Sequence, residues 1–490
     1  MKNFFKNYRL FFLLATLSFL IHFAYLGYPA QVVFDEVHFG KFVSAYFTSK
    51  FYFDIHPPLG KLLIAAWVKL SGVNPVFSFE KIGELIPAQT LASLRFLPSL
   101  TGALFVLAFS WLAYLISRSK NTALIAGFLI LLDNAILVQS KFILVDIFLL
   151  FFEILTFCFF FLWQKQKSFS WRWWFFLFLT ALFFGLTISV KWTGVATLGV
   201  ITLVLITKIF WEKLEDYLNW QNHPSVISSS KNSLQKISCL NQKPTKKTKI
   251  KETAIGLLAI IFIGLLVYLI TFAIHFKLVS HSGPGDAFVS WGWQQKLKFG
   301  LKENAPNFWQ KIIELNKTMY LSSASITSEH PYGSRWWGWP LGYKPVYYWN
   351  DDFPGFVAKI YLLSNPFLWW LGSGFIFFTI LFILFNKKFR KNISPIFYIL
   401  ILAWIANWLP FILIKRVAFL YHYLLAATFS TLISALYLSR LWPKEKKILF
   451  LILGIIGFSF FILLPFCYGW PLPTNIAKYL NYLVILPFEF

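Results

Sequence analysis

The sequence predicts an all-α polytopic membrane protein, and three observations carry that prediction. Hydrophobic residues make up 58% of the chain and charged ones only 13%, against about 25% charged in soluble domains. Aromatic residues reach 21%, with 59 Phe and 22 Trp, more than a soluble core absorbs, so many rings must face lipid tails or the headgroup belt. Finally, long apolar runs alternate with short basic segments, as orientation signals do.

A helix that crosses a bilayer needs about 20 mostly apolar residues and closes its own backbone hydrogen bonds. Eleven runs meet this requirement, near 10–28, 91–116, 121–138, 142–163, 172–190, 193–211, 253–275, 362–385, 395–413, 417–440 and 447–466. The runs at 121–138 and 172–190 are short or interrupted. Lys2, Lys6 and Arg9 precede the first run, which could pass for an export signal. It extends from Leu10 to about Leu26, beyond the ~7–15 residues of a signal core, and is read as a retained span.

Lys and Arg in short loops set the orientation. With the N-terminus in the cytoplasm, Met1–Arg9, Arg118–Lys120, Lys165–Arg172, Lys387–Lys391 and Lys444–Lys447 all fall inside, and all are basic. So does the insert 212–252, whose Ser, Asn and Lys content reads as a flexible tether. The chain therefore divides into a membrane region 1–211, this basic insert, and a membrane region 253–490. Two long loops, 29–90 and 276–361, lie together on the outer side. Lys415-Arg416 is also outward, against the orientation rule.

The formal net charge is +25. In a soluble protein that would suggest nucleic acid; here the basic residues sit where membrane orientation places them, and no nucleic-acid partner is expected. Cys158, Cys239 and Cys467 are far apart in sequence and form no disulfide or metal pattern.

Candidate chemistry concentrates in the outer loops. The first reads Phe34-Asp35-Glu36-Val37-His38, then Asp54-Ile55-His56-Pro57-Pro58. Asp35-Glu36 follows a span closely, where partial shielding from water can tune a carboxylate as a general base. Two solvated loop acids would read the same way, but the returning Asp54/His56 set makes a polar cluster. These residues could supply metal ligands, yet their spacing fits no compact motif such as His-Glu-x-x-His; no metal is expected. Arg95, Lys141, Lys191, Lys415, Arg416 and His422 stand at span ends. Many such groups simply reach for the interface, whereas paired cations in a membrane-facing pocket would neutralise a lipid phosphate. In the second loop, Glu329, His330, Arg335, Trp336, Trp337 and Trp339 suit either an interfacial belt or contact with a sugar, whose apolar face covers a ring.

These residues fall into ordered blocks that resemble the protein O-mannosyltransferases. The blocks are Phe34–Gly40 with Asp54–Lys61, Arg95–Pro98, Asp133-Asn134 with Lys141–Asp146, Ser189–Gly194, Ser282–Asp286, His330-Pro331-Tyr332 with Trp336–Leu341, Ser364-Asn365-Pro366, and Lys415–Tyr423. The resemblance implies the GT-C architecture, with about eleven spans, a cytoplasmic N-terminus and an outward C-terminus. It implies transfer of mannose from a polyprenyl-phosphate carrier to Ser or Thr hydroxyls of exported proteins. Eukaryotic members carry a β-trefoil repeat domain in the second large loop. Here that loop has about 80 residues, so a bacterial-type member in the cell membrane is expected.

On this resemblance Asp35 would accept the proton of the acceptor hydroxyl, with inversion at the anomeric carbon. Glu36 would orient the acceptor or a neighbouring cation. Arg95, Lys191, Lys415, Arg416 and His422 are candidates for the leaving phosphate, and His38, Asp54 and His56 for the surrounding polar cluster. His330, Arg335 and Trp336 would shape the sugar and peptide sites. The lipid-linked sugar is a co-substrate, and no cofactor is expected. One rival reading keeps the architecture and changes the acceptor to a lipid or glycan. Another is a transporter, which would place polar residues in broken helices of two repeated halves; no internal repeat is present.

Overall fold

A computed structural model describes residues 2–220, 245–327 and 329–484. Among the described residues, nine helices are long and apolar enough to cross a membrane. A tenth span is a bent pair, Lys120–Leu131 and Asn134–Lys141, which meet at 63°. The helix Lys2–Phe23 adds a shorter apolar stretch, Arg9–Phe23. Each of the eleven predicted runs is thus represented, and the interruption expected within 121–138 is this bend. Its cause is local. The Asp133 carboxylate accepts from the backbone N–H groups of Ala135 at 2.9 Å and Ile136 at 3.3 Å, restarting the helix as an N-cap. Trp369 Nε1 donates to its other oxygen at 2.7 Å.

Hydropathy does not separate inner from outer helices, but burial does. Leu420–Leu438 and Asp146–Gln164 are 83% and 78% buried, whereas Lys246–Leu278 is 22% buried although it is the most apolar. Apolar side chains on such outer helices face lipid instead of partners. Where Lys246–Leu278 does meet Trp171–Val190, Gly185 and Gly264 bring the two backbones together: a Cβ on Gly185 would lie 2.9 Å from the Gly264 Cα. Small residues permit such close approach in membranes.

The long loops are structured and interlock. The first carries helices Glu36–Thr48 and Leu59–Ser71, and the second carries Trp291–Phe299, Phe308–Ala324 and a hairpin of β1 (Val346–Phe353) with β2 (Phe356–Leu362). A two-residue β3 (Leu472–Pro473) completes the antiparallel order β1-β2-β3. Lys50 bridges His281, and the Phe34 N–H donates to the Tyr348 carbonyl at 3.0 Å. The two loops therefore cover one end of the helix bundle.

The insert 212–252 is helical at both ends, Glu212–Trp220 and from Lys246 onward. Lys249 Nζ meets Glu215 at 2.5 Å, tying those ends together. Its middle, 221–244, including Cys239, lies outside the described residues.

Candidate active site

The loop that presents Asp35 is fixed from beneath by its neighbour. Glu36 is fully buried. Its carboxylate accepts from the backbone N–H of Val33 at 2.8 Å and of Ile143 at 3.0 Å. Arg95 donates to it twice, from Nε at 2.8 Å and Nη2 at 2.7 Å. The same guanidinium donates to the carbonyls of Pro29 and Gln31, both at 2.9 Å. A planar fork suits this many acceptors at once. Glu36 thus pairs with Arg95. Arg95, expected among the phosphate ligands, is committed to Glu36 and to backbone.

The Asp35 carboxyl has no such hydrogen-bond partners among the described residues. Asp35 stands at the N-cap of Glu36–Thr48, yet its side chain makes no cap hydrogen bond. Phe34 before it adopts φ 43°, a left-handed conformation uncommon for an aromatic residue, and its ring stacks on Tyr348 at 4.2 Å and 10°. The carboxyl is pushed up to about 7, chiefly by loss of water; Lys191 pulls it down, and Asp146 and Asp54 raise it again. A carboxyl near neutrality and free of partners is suited to accept a proton.

A cavity of about 810 Å³ is lined by Lys191 and Asp146, whose charges act on Asp35, although Asp35 itself is not among its lining residues. His56, Asp146, Lys191, Lys415, Arg416 and His422 form its polar part, while Leu149, Leu150, Val195, Leu424 and Leu425 supply apolar wall. Lys191 occupies the break between Trp171–Val190 and Trp192–Gly194. Its Nζ meets both Asp146 oxygens, at 2.8 and 2.9 Å, and lies 5.4 Å from the Tyr421 ring centre. Arg416 Nη2 stands 3.3 Å from His422 Nε2. Because a guanidinium only donates, Nε2 accepts there, which puts the ring proton on Nδ1. Nδ1 stands 3.0 Å from the Phe419 carbonyl, to which it then donates, and 3.1 Å from the Phe419 N–H, which suits the other tautomer. Trp339 stacks against the same imidazole at 5.9 Å and 14°. Lys415 is exposed at the rim.

The remaining candidates surround this centre. Asp54 pairs with the buried Lys61, which also donates to the His56 carbonyl at 2.9 Å. Burial and the charges of Lys191, Lys61 and Arg416 hold His56 well below the usual imidazole range. His38 is exposed, and burial lowers it while Asp54 raises it. His330 is exposed, 5.0 Å edge-on from the Phe419 ring. Arg335 is exposed, and Trp336 packs on Trp408 at 5.1 Å while its carbonyl accepts from Trp408 Nε1. Neither lines the cavity.

Two contributors were passed over in the sequence. Asp146 was quoted only within a motif block, although an acid at the head of an apolar span is itself a functional signal. Tyr348 gave no signal, because its place beside Asp35 depends on pairing between loops more than 300 residues apart in sequence. Among the described residues, no group of three or more His, Cys, Asp or Glu side chains is placed to hold a metal ion.

Comparison with known proteins came down on one family. The family profile of dolichyl-phosphate-mannose-protein mannosyltransferase matches residues 12–280, and that of the C-terminal four-span region of protein O-mannosyltransferase matches 308–485. Protein O-mannosyltransferase 1 of Drosophila melanogaster is 30% identical over 327 residues, covering 66% of this chain and 33% of its own length. Dolichyl-phosphate-mannose–protein mannosyltransferase 4 of Saccharomyces cerevisiae is 32% identical over 293 residues, covering 58% of this chain and 35% of its own. This chain thus spans about a third of the length of these relatives. Among solved structures, the S. cerevisiae Pmt1-Pmt2 complex bound to the sugar donor superposes with TM-score 0.82 at 18% identity, over 97% of this chain and 92% of that one. ArnT of Cupriavidus metallidurans bound to undecaprenyl phosphate gives 0.51 at 13% identity, over 98% and 74%. Both carry the fold alone, which is GT-C-like.

Proposed function

The chain belongs to the dolichyl-phosphate-mannose-protein mannosyltransferase family, and from that premise we propose that it transfers mannose from a polyprenyl-phosphate-mannose donor to Ser or Thr hydroxyls of exported proteins. The observation that carries this reading is the cavity whose liners Lys191 and Asp146 act electrostatically on Asp35, and which joins the cations Lys191, Lys415 and Arg416 to an apolar wall on membrane-spanning helices. A lipid-linked sugar phosphate has the same two parts.

In the proposed reaction the acceptor oxygen attacks the anomeric carbon while its proton passes to Asp35. The new C–O bond forms as the bond from that carbon to the phosphate oxygen breaks on the opposite face, giving inversion. The phosphodiester thereby becomes a monoester and gains one negative charge. Lys191, Lys415 and Arg416 are placed to stabilise that charge, and the Nδ1 proton of His422 leaves its Nε2 to orient Arg416. Asp146 holds Lys191, and Glu36 with Arg95 holds the loop that carries Asp35. His38, Asp54 and His56 border the sugar, and His330 and Arg335 the approaching peptide.

Basic residues in the short loops support a cytoplasmic N-terminus and an extracytoplasmic site in the cell membrane. The compact second loop, filled by short helices and a hairpin, supports a bacterial-type member without the β-trefoil insertion. The test is Asp35→Asn assayed in membranes with a Ser/Thr peptide and, separately, with a lipid acceptor. Loss of peptide mannosylation by about 10²–10⁴-fold is expected. Full retained transfer removes Asp35 as the base, and transfer to the lipid alone replaces the protein acceptor.

A further inference from the structure

A second cavity, of about 620 Å³, lies outside the site described above, between the β1–β2 hairpin and the helix Thr474–Val484. We propose that it is an exosite for the stretch of acceptor polypeptide that flanks the reacting hydroxyl, a role that rests on the reaction proposed above.

Three observations point to a polypeptide. One concerns open hydrogen-bonding capacity of both signs. Asn481 Oδ1 is buried in the wall without a hydrogen-bond partner, and a buried acceptor left unpaired costs about 1–3 kcal/mol. Lys359 and Lys478 face the same space and have no ion-pair partner among the described residues. A peptide backbone offers N–H donors for the one and carbonyl acceptors for the others.

The wall is also aromatic as well as polar. Tyr332 and Tyr347 stack at 5.7 Å and 20°, and Tyr361 meets Tyr347 edge-on at 5.8 Å. Such rings offer amphipathic contact area at low entropic cost, as they do where antibodies grip peptides.

Position supplies the remaining observation. A bulge between Tyr347 and Trp349 interrupts the β1–β2 register, and at it Tyr348 stacks on Phe34, next to Asp35 in sequence, while Tyr347 lines the second cavity. Another wall residue, Tyr332, precedes Gly333-Ser334, and the Ser334 N–H donates to the Ala418 carbonyl at 2.8 Å, two residues from Arg416. One strand and one loop thus separate the exosite from the reacting centre. Lys359 and Lys478, two cations against the single carboxylate of Asp352 in the same wall, add a preference for acidic flanks.

The test uses the full-length protein in lipid nanodiscs and the double variant Lys359→Gln/Lys478→Gln. Both side chains are solvent-accessible, so folding is not at stake, and a thermal melt checks it. Two acceptors share one hydroxyl: a long peptide with about ten residues on each side, each arm reaching up to ~35 Å, and a short one with about two. The expected result is a KM for the long peptide raised roughly tenfold, about 1.4 kcal/mol, with kcat, the KM of the short peptide and the donor KM unchanged. Equal changes for both peptides, or none, overturn the exosite. Discrimination confined to peptides already bearing mannose also overturns it and makes the cavity a glycan site. If the wild type modifies neither peptide, the activity reading fails on its own. Binding of the labelled long peptide without donor then decides: weaker binding to the variant supports the exosite, and equal binding sinks it.

Discussion

Glu36 and Arg95 form a two-pronged ion pair, with contacts of 2.8 and 2.7 Å and neither side chain exposed to solvent. Taking two charges out of water is costly and is offset only when the remaining donors and acceptors are filled. Val33 and Ile143 fill them on the acid, and Pro29 and Gln31 on the guanidinium. The pair therefore acts as a rivet between the Asp35 loop, the helix Ala88–Ser117 and the turn before Asp146–Gln164.

Breaking one side of that rivet leaves a buried charge unpaired. Arg95→Gln removes the guanidinium and leaves the buried Glu36 carboxylate without its ion-pair partner. It should lower stability by about 3–5 kcal/mol, the cost of opening a buried pair, read as a large fall in Tm in detergent. Protein that remains folded should bind polyprenyl phosphate normally. The opposite pattern, an unchanged Tm with weak phosphate binding, would return Arg95 to the phosphate site.

The pH profile tests the base. Asp35 works only when ionised, and its carboxyl is pushed up to about 7. As pH falls through that value the active form is lost, so kcat/KM should drop on the acid side with a midpoint near 7. An ordinary aspartate would place it near 4. The same raised value means that the folded protein holds this proton more tightly than the unfolded chain. Asp35 therefore weakens stability as pH rises from about 4 to 7. Asp35→Asn should melt no lower than the wild type at neutral pH, while losing activity. A wild-type midpoint near 4 excludes a desolvated base.

Asp146 offers a directional check on the same electrostatics. Its charge raises Asp35, and its oxygens hold Lys191 at 2.8 and 2.9 Å. Asp146→Asn removes its share of the repulsion, so that Lys191 is opposed only by burial and Asp54. The acid midpoint should move below 7, and kcat should fall as the base weakens. A midpoint that stays or rises means that Lys191 has lost its place or its charge.

How legible was this site beforehand? The spans were legible because a bilayer imposes length and hydropathy on each segment separately. The bend at Asp133 was visible as an interruption, but its angle depends on the cap and on Trp369 from another helix. Asp35, Lys191 and Arg416 could be picked out by type and side. The division of labour between Asp35 and Glu36 could not. Both are acids after a span, and only the arrival of Arg95 from 59 residues away shows which is buried and filled. Trp336 could also be picked out by type, but its tilted packing on Trp408 at 5.1 Å joins segments 72 residues apart and had no signal in the sequence.

Arg416 supplies the sharpest test of the phosphate assignment. It is half-buried, lines the cavity, and has His422 as a hydrogen-bond partner at 3.3 Å. With Nη2 held by a neutral ring, its other donors remain for a ligand. A charge-assisted hydrogen bond contributes about 1.5–3 kcal/mol, and each 1.4 kcal/mol is about tenfold in affinity. Arg416→Gln should therefore raise the donor KM by about 10–150-fold while the acceptor KM stays constant. Because phosphate is retained after mannose leaves, inhibition by free polyprenyl phosphate should weaken in parallel. Weaker donor use with unchanged product inhibition would move Arg416 from the phosphate to the sugar.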